Sequence, residues 1–288
     1  MATYEPERTR NFYLLGDSQA EMVQLIKTDQ LFTTAMGGLL PEQPEQTIAQ
    51  LHDVLDIGCG PGGWVLEVAY AYPRLQATGI EISQGMIDYA NGLARANGLD
   101  NVQFHVANAI DPLGFPDASF DLVNVRQLEG VIPAGAWPRL VKEMVRVTRP
   151  GGIIRITSVE WGGVTNSTAF QTLERLMIRG ATRAGLHHIP DDRWMSATVM
   201  LSRYLRDAGS VNIQERPSIM DFSAGSEYYQ DMNQQWVIVF ELVEPFLLAT
   251  GVATKPEIER LRQQFSIDIL QDSFRGILYM LTAWGEKP

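Results

Sequence analysis

The sequence predicts an α/β fold in which helices cover both faces of a mostly parallel sheet. Three observations carry that prediction. From Val54 to Glu160, short β-branched runs alternate with helical patterns. The stretches between successive runs are long enough for helical crossovers, which are right-handed by default. One apolar run also leads directly into a glycine-rich turn that opens a helix.

In chain order, the expected strands are Val54 to Ile57, Gln76 to Ile80, Val102 to Val106, Phe120 to Asn124 and Ile153 to Val159. Helices are expected at Gly63 to Tyr72, Gly85 to Asn97 and Trp137 to Thr148. A sixth strand, Val211 to Ile219, is separated from a last one, Gly276 to Gly285, by about 55 residues. A structureless loop of that length is implausible, so helices are placed at Ser226 to Thr250 and Pro256 to Asp272. No repeat or Pro/Gly-rich linker marks a boundary, and residues 1–288 are read as one domain. Residues 1–50 form an N-terminal helical cap, 51–160 a ligand-binding core, and 161–288 the rest of the sheet with helical insertions at 165–207 and 226–274.

Composition narrows the partners. The 288 residues carry 23 Lys and Arg against 34 Asp and Glu, a net charge of −11. Residues 1–160 hold 11 basic and 19 acidic groups, so −8 of that balance lies in the half with the glycine turn. A nucleic-acid binder needs a basic face that releases counterions, and none is expected here. A cationic ligand suits the acidic half, although solvated surface carboxylates account for most of the charge. The lone cysteine, Cys59, excludes an internal disulfide and a cysteine-built zinc site, and fits a reducing cytoplasm. Met1 to Arg10 carries charges throughout, unlike a secretory leader. The most apolar segment, Trp236 to Ala249, is interrupted by Glu241, Glu244 and Pro245, too short to span a bilayer and better suited to a buried or lid helix.

The run Val54-Leu55-Asp56-Ile57-Gly58-Cys59-Gly60-Pro61-Gly62-Gly63-Trp64 is the most informative segment. Glycines let the backbone approach a ligand and aim the helix N-terminus at it; Gly58, Gly60 and Gly63 match the spacing of a dinucleotide loop. Asp56 points to a different ligand. A carboxylate two positions before the first glycine suits an ammonium and is a liability beside a pyrophosphate, the alternative being that it accepts loop N–H groups. Glu81 ends the next strand, 19 residues beyond Gly62, close to the separation expected of a carboxylate that binds both ribose hydroxyls.

Together, VLDIGCGPGGW, the GIEIS strand end, Phe120-Asp121-Leu122-Val123 and Pro150-Gly151-Gly152 resemble the Rossmann-like S-adenosylmethionine-dependent methyltransferases. The resemblance is to the group that includes ubiquinone/menaquinone-type and natural-product small-molecule enzymes. It covers residues 50 to 160, with the closing Leu281-Thr282-Ala283-Trp284-Gly285 strand also similar. It implies a seven-stranded sheet whose last strand is antiparallel and inserted between the fifth and sixth. It further implies S-adenosyl-L-methionine as cofactor, S-adenosyl-L-homocysteine as product, and no metal.

Carried over by position, the resemblance assigns Asp56, Gly58, Cys59, Gly60 and Gly62 to the loop that holds the methionine end, and Glu81 to the ribose. Ile82 and Met86 are assigned to the adenine face. Asn108-Ala109 stands where the family commonly has an acidic residue before Ala; the Asn amide can still accept from the adenine amino group. Asn124, Val125, Arg126 and Gln127 are expected near the methionine portion and sulfonium. Arg126 beside a cation is odd, and it either reaches the methionine carboxylate or points into solvent.

The implied reaction is in-line displacement at a sulfonium methyl, in which positioning dominates and a general base is optional. Glu160, at the end of the fifth strand, and His188, in the following insertion, are the base candidates. His52 reads as surface and His105 as core. Tyr4, Tyr13, Gln127, Trp161, Trp194, Tyr228 and Trp236 are expected to line an apolar, aromatic acceptor pocket. The stretch Asn124-Val125-Arg126-Gln127 lacks the Asn/Asp-Pro-Pro-aromatic run of nucleic-acid amino-methylating enzymes, and Glu129 lacks the second glutamate of protein-arginine enzymes. The partner expected is a small, apolar or aromatic metabolite methylated at O, N or C, with no nucleic acid, no membrane insertion, and homo-oligomerisation left open. An NAD-dependent oxidoreductase, or a relative that uses the cofactor without methylating, remains the alternative.

Overall fold

The computed structural model describes residues 19–160, 163–186 and 197–288. Tyr4, Tyr13, Trp161, His188 and Trp194 lie outside the described residues. The strands are β1 (Asp53–Ile57), β2 (Gln76–Glu81), β3 (Val102–Val106), β4 (Phe120–Arg126), β5 (Thr148–Val159), β6 (Val164–Thr165), β7 (Val211–Asp221) and β8 (Gly276–Glu286). The helices are α1 (Gln19–Met36), α2 (Glu45–Ile48), α3 (Gly63–Ala71), α4 (Gln84–Ala96), α5 (Trp137–Val147), α6 (Thr168–Arg183), α7 (Leu201–Asp207), α8 (Tyr229–Leu242), α9 (Glu244–Ala249) and α10 (Lys255–Asp268).

One sheet runs in the order β3-β2-β1-β4-β5-β8, with β7 on the far side of β8. The pairs from β3 to β5 are parallel, and β8 is antiparallel to both β5 and β7. The inserted antiparallel strand is therefore where the resemblance implied it. An eighth strand was not expected: β6 pairs Val164 and Thr165 with Ile277 and Gly276, prolonging the β5 side of β8.

The central strands are buried on both faces, which explains their continuous apolar reading. Leu55, Ile57, Val123, Val125, Ile154 and Ile156 pack with α5 and α7. Val54, Leu122 and Ile153 face the opposite way, toward Trp64, Val65 and Val68 of α3 and Ala90 of α4. Helix α5 follows from its stripe of Trp137, Leu140, Val141, Met144 and Val147, all buried at helical spacing, with Pro138 in the first turn where a missing N–H costs nothing. Ser83 caps α4 by accepting the N–H of Met86 at 3.2 Å, and Ser167 caps α6 by accepting that of Phe170 at 3.1 Å.

Two local expectations are corrected. The segment expected as one helix over 226–250 divides at Val243 into α8 and α9, because Pro245 cannot donate to the preceding turn and instead occupies the first turn of a new helix. His105 is exposed, since β3 is an edge strand and the face carrying His105 is uncovered; its ring meets Phe115 edge-on at 6.3 Å. His52 is exposed as expected.

A third apolar cluster lies beyond the end of the sheet. Phe170 of α6, Trp236 and Phe240 of α8, Phe265 of α10, and Phe222 and Phe274 beside β7 and β8 pack ring against ring. This cluster anchors the helical additions, and with them the roof of the site. No helix among the described residues is long and apolar enough to cross a membrane.

Candidate functional site

The turn after β1 is held open by backbone geometry and carboxylates. Gly58 and Cys59 donate their N–H groups to the carbonyl of Ile80, at 2.8 and 3.0 Å, tying the loop to β2. Gly60 has φ +53°, and a Cβ there would meet nothing within 4 Å, so the backbone borders open space. Gly62 differs. At φ +85° it precedes α3, and a Cβ would lie 2.9 Å from both Ala90 Cβ and Phe104 Cζ. It allows helix, strand and loop to pack closely and does not reach the cavity.

Glu81 is buried at the end of β2. Its Oε1 accepts from the N–H groups of Ile82 (2.8 Å) and Ser83 (3.1 Å), and its Oε2 from that of Gly60 at 3.3 Å. The carboxylate thus joins the ends of two strands.

Asp56 stands beside Asn124 and Arg155 on adjacent strands β1, β4 and β5. Asn124 Nδ2 donates to Asp56 Oδ1 at 2.8 Å, and Arg155 Nη1 donates to Asn124 Oδ1 at 2.8 Å. Arg155 Nε in turn donates to Glu42 Oε1 at 2.8 Å, with both side chains fully buried. Burial pushes the Asp56 carboxyl up to about 7, against the opposing pull of Asn124 and Arg155, while the nearby Glu81 charge adds to the rise. The Cys59 thiol is also pushed well up, by burial and then by Asp56 and Glu81, and so stays neutral.

These groups open onto a cavity of about 190 Å³. Asp56, Gly58, Cys59, Gly60 and Glu81 form one side. The other is apolar and brings together Phe32 of α1, Val159 of β5, Met232, Trp236 and Val239 of α8, and Leu278 of β8. Helices α1 and α8 meet over it. Thr28 Oγ1 donates to Gln235 Oε1 and Gln235 Nε2 donates to Gln24 Oε1, both at 2.9 Å, with Lys27 and Asp231 paired at the rim at 2.7 Å. Beneath them, Arg126 forms an ion pair with Asp29 and donates to Thr33 Oγ1 at 3.0 Å.

A family model described as a methyltransferase domain matches residues 54–152. Over this third of its length the chain resembles the Rossmann-like methyltransferases. It is 36% identical over 146 residues to ajmaline N-methyltransferase of Rauvolfia serpentina, covering 50% of this chain and 46% of that protein. It is 37% identical over 100 residues to demethylmenaquinone methyltransferase of Geobacillus stearothermophilus, covering 34% of this chain and 42% of that one. The chain thus spans less than half the length of these two relatives. Among solved structures it is similar in fold to phosphoethanolamine N-methyltransferase 2 of Haemonchus contortus in complex with S-adenosyl-L-methionine, with a TM-score of 0.54 at 16% identity over 98% of this chain and 61% of that one.

The structure brings Asp56, Gly58, Cys59, Gly60, Glu81, Arg126, Gln127 and Trp236 to one cavity. Other expected residues stand elsewhere. Asn124 and Val125 are fully buried, Asn124 bracing Asp56 from behind and Val125 packing toward α5, so neither side chain lines the cavity. Ile82, Asn108 and Ala109 are half-buried at the ends of β2 and β3, outside the cavity wall. Met86 has no exposed surface, so it backs that edge without offering it a face. Arg126 is buried and turned toward α1, which removes the solvent alternative.

Tyr228 packs on the aromatic cluster outside the cavity wall, because it precedes the first turn of α8 and misses the face carrying Met232, Trp236 and Val239. Glu160 is also outside that wall and accepts from Thr198 Oγ1 at 2.7 Å. In its place on the acceptor side of the wall stands Glu129, whose Oε1 accepts the N–H of Val159 at 2.8 Å. The cavity also gains Asp29 and Phe32 from α1. An acidic residue a few positions after the fourth strand is the signal available for Glu129; nothing in the sequence pairs α1 with α8.

Proposed function

We propose that this protein is an S-adenosylmethionine-dependent methyltransferase whose acceptor is a small, apolar or aromatic metabolite. The observation that supports it is the single cavity joining the glycine turn and two strand-end carboxylates to an apolar chamber under α1 and α8. The residues present fit the cofactor. The open space over Gly60 admits a ligand against the backbone, and Asp56 offers a carboxylate to an ammonium. Glu81 Oε2 exchanges its long contact with Gly60 for ribose hydroxyls while Oε1 keeps Ile82 and Ser83. Ile82, Asn108 and Ala109 border the adenine, and Met86 supports them.

When bound, the cofactor supplies a methyl group activated by its sulfonium charge. The chain's own contribution is placement and dryness. Asp56, braced through Asn124 by Arg155 and Glu42, fixes one end of the ligand. Phe32, Trp236 and Val239 hold water away from the acceptor side, so charges in the site act at a low effective dielectric.

Titration calorimetry with S-adenosylhomocysteine and, separately, with NAD tests the cofactor assignment. Binding to NAD alone would overturn it. Incubation with S-adenosylmethionine labelled at the methyl group and a metabolite extract tests transfer, and label recovered in a small molecule is the expected outcome. Binding without transfer to any compound would leave the non-methylating reading in its place.

A further inference from the structure

Glu129 occupies an unusual position. It has no exposed surface, it lies in the wall of the cavity, and its second oxygen, Oε2, makes no hydrogen bond. A buried polar atom left unmatched is costly whichever protonation state it adopts, since the carboxylate needs a donor and the acid needs an acceptor. The neighbouring cavity wall is apolar, with Val131, Val159, Val243 and Leu278. Inside the chain the Ser158 hydroxyl, itself buried without a geometric partner, lies against this carboxyl, and a methyl acceptor in the chamber would be the donor from the cavity side.

The charges around the cavity favour one kind of donor. Its described wall holds the carboxylates Asp29, Asp56, Glu81 and Glu129 against one guanidinium, Arg126, which Asp29 already engages. A hydroxyl acceptor that ionises would place an anion among carboxylates. An amine arrives as a cation and must lose a proton before nitrogen can attack. Burial pushes Glu129 up to about 7, against the opposing pull of the Val159 and Glu129 N–H groups and the Ser158 hydroxyl, with the charge of Glu160 adding a little to the rise, so proton exchange with an amine is feasible near neutral pH.

We propose that the methyl acceptor is an amine on a small apolar body and that Glu129 Oε2 receives its N–H. The ammonium proton passes to Oε2. The freed nitrogen lone pair forms the N–CH₃ bond as the S–CH₃ bond breaks, and that bond pair stays on sulfur, leaving S-adenosylhomocysteine. The proton on Glu129 returns to solvent when the product leaves. This inference rests on the methyltransferase reading above.

The test uses the full chain saturated with S-adenosylhomocysteine and compares 1,2,3,4-tetrahydroisoquinoline with isochroman, which replaces the N–H by oxygen, in calorimetry at pH 7. The amine is expected to bind at least about tenfold tighter, the scale of one charge-assisted hydrogen bond. Glu129→Gln, which keeps the side-chain volume, is expected to erase the preference while leaving S-adenosylhomocysteine affinity unchanged. With the natural chain alone, the N,N-dimethyl quaternary analogue, charged but lacking an N–H, is expected to lose the same tenfold. An amine that binds no better than isochroman, absent binding of both included, overturns the assignment, as does a preference that survives Glu129→Gln. Failure of S-adenosylhomocysteine to bind would instead overturn the methyltransferase reading itself.

Discussion

Arg155→Met is the sharpest probe of the interior behind the site. The substitution preserves much of the apolar stem and removes the guanidinium that holds Glu42 at 2.8 Å and Asn124 at 2.8 Å, all within the sealed interior. Removing one partner of a buried ion pair costs about 3–5 kcal/mol because the other charge is stranded. The stranded carboxylate has one escape, taking up a proton. From a reference value of about 4.3 for glutamate, that costs about 4 kcal/mol at pH 7 and sets the upper bound. The expected loss is therefore about 3–4 kcal/mol in urea unfolding at pH 7. Adding Glu42→Gln removes the stranded charge, so the double variant should recover a large part of it. The affinity for S-adenosylhomocysteine should also fall, because Asn124 loses the contact that orients its amide toward Asp56. A loss below about 1 kcal/mol for Arg155→Met, or a double variant that merely adds the two single losses, would refute the reasoning.

The remaining predictions concern the site and its roof. Asp56 and Glu129 are both raised to about 7 by burial, so the folded chain holds their protons more tightly than the unfolded chain. The stability they contribute is present in full below about pH 4 and is lost as the pH rises through 7, and denaturation of the ligand-free protein across that window should show the decline. S-adenosylhomocysteine needs Asp56 ionised, so its dissociation constant should weaken by about tenfold per unit as pH falls below 7, and Asp56→Asn should flatten that profile; a flat profile in the natural chain counts against Asp56 as the ammonium partner. Gly60→Arg, which fills the open space over the turn, should abolish binding, while Glu81→Ala should weaken it by roughly 2–4 kcal/mol, both measured by calorimetry. Gln235→Ala removes both hydrogen bonds that latch α8 to α1, and faster amide hydrogen exchange in α1 is the expected sign, with unchanged exchange speaking against a latch.

The parts of the fold that were legible in the sequence are those written in local pattern. A β-branched run before a glycine turn, a carboxylate at a strand end, and a late strand after long helical patterns depend on residues close in the chain. They located β1, Asp56, Gly60, Glu81 and the inserted β8. Errors arose where a neighbour far along the chain decides the outcome. His105 sits in a strand pattern that reads as interior, yet β3 has no strand beyond it. Gly62 belongs to the glycine run, but Phe104 and Ala90 claim the space beside it. Asn124 lies at the expected strand end, while Asp56 on one side and Arg155 on the other turn it into an interior brace.

The sequence by itself determined the order of the central strands and helices, the glycine turn that borders the cavity, and the sign of the charge beside it, because periodicity and spacing encode what each short segment must bury or expose. Only the tertiary structure decided what faces that turn. Phe32 and Trp236, about 200 residues apart, meet in one chamber, and Glu129 rather than Glu160 reaches its wall. Such juxtapositions follow from how long-range packing aims each helix face and strand end, and that direction is not encoded in the spacing of any one segment.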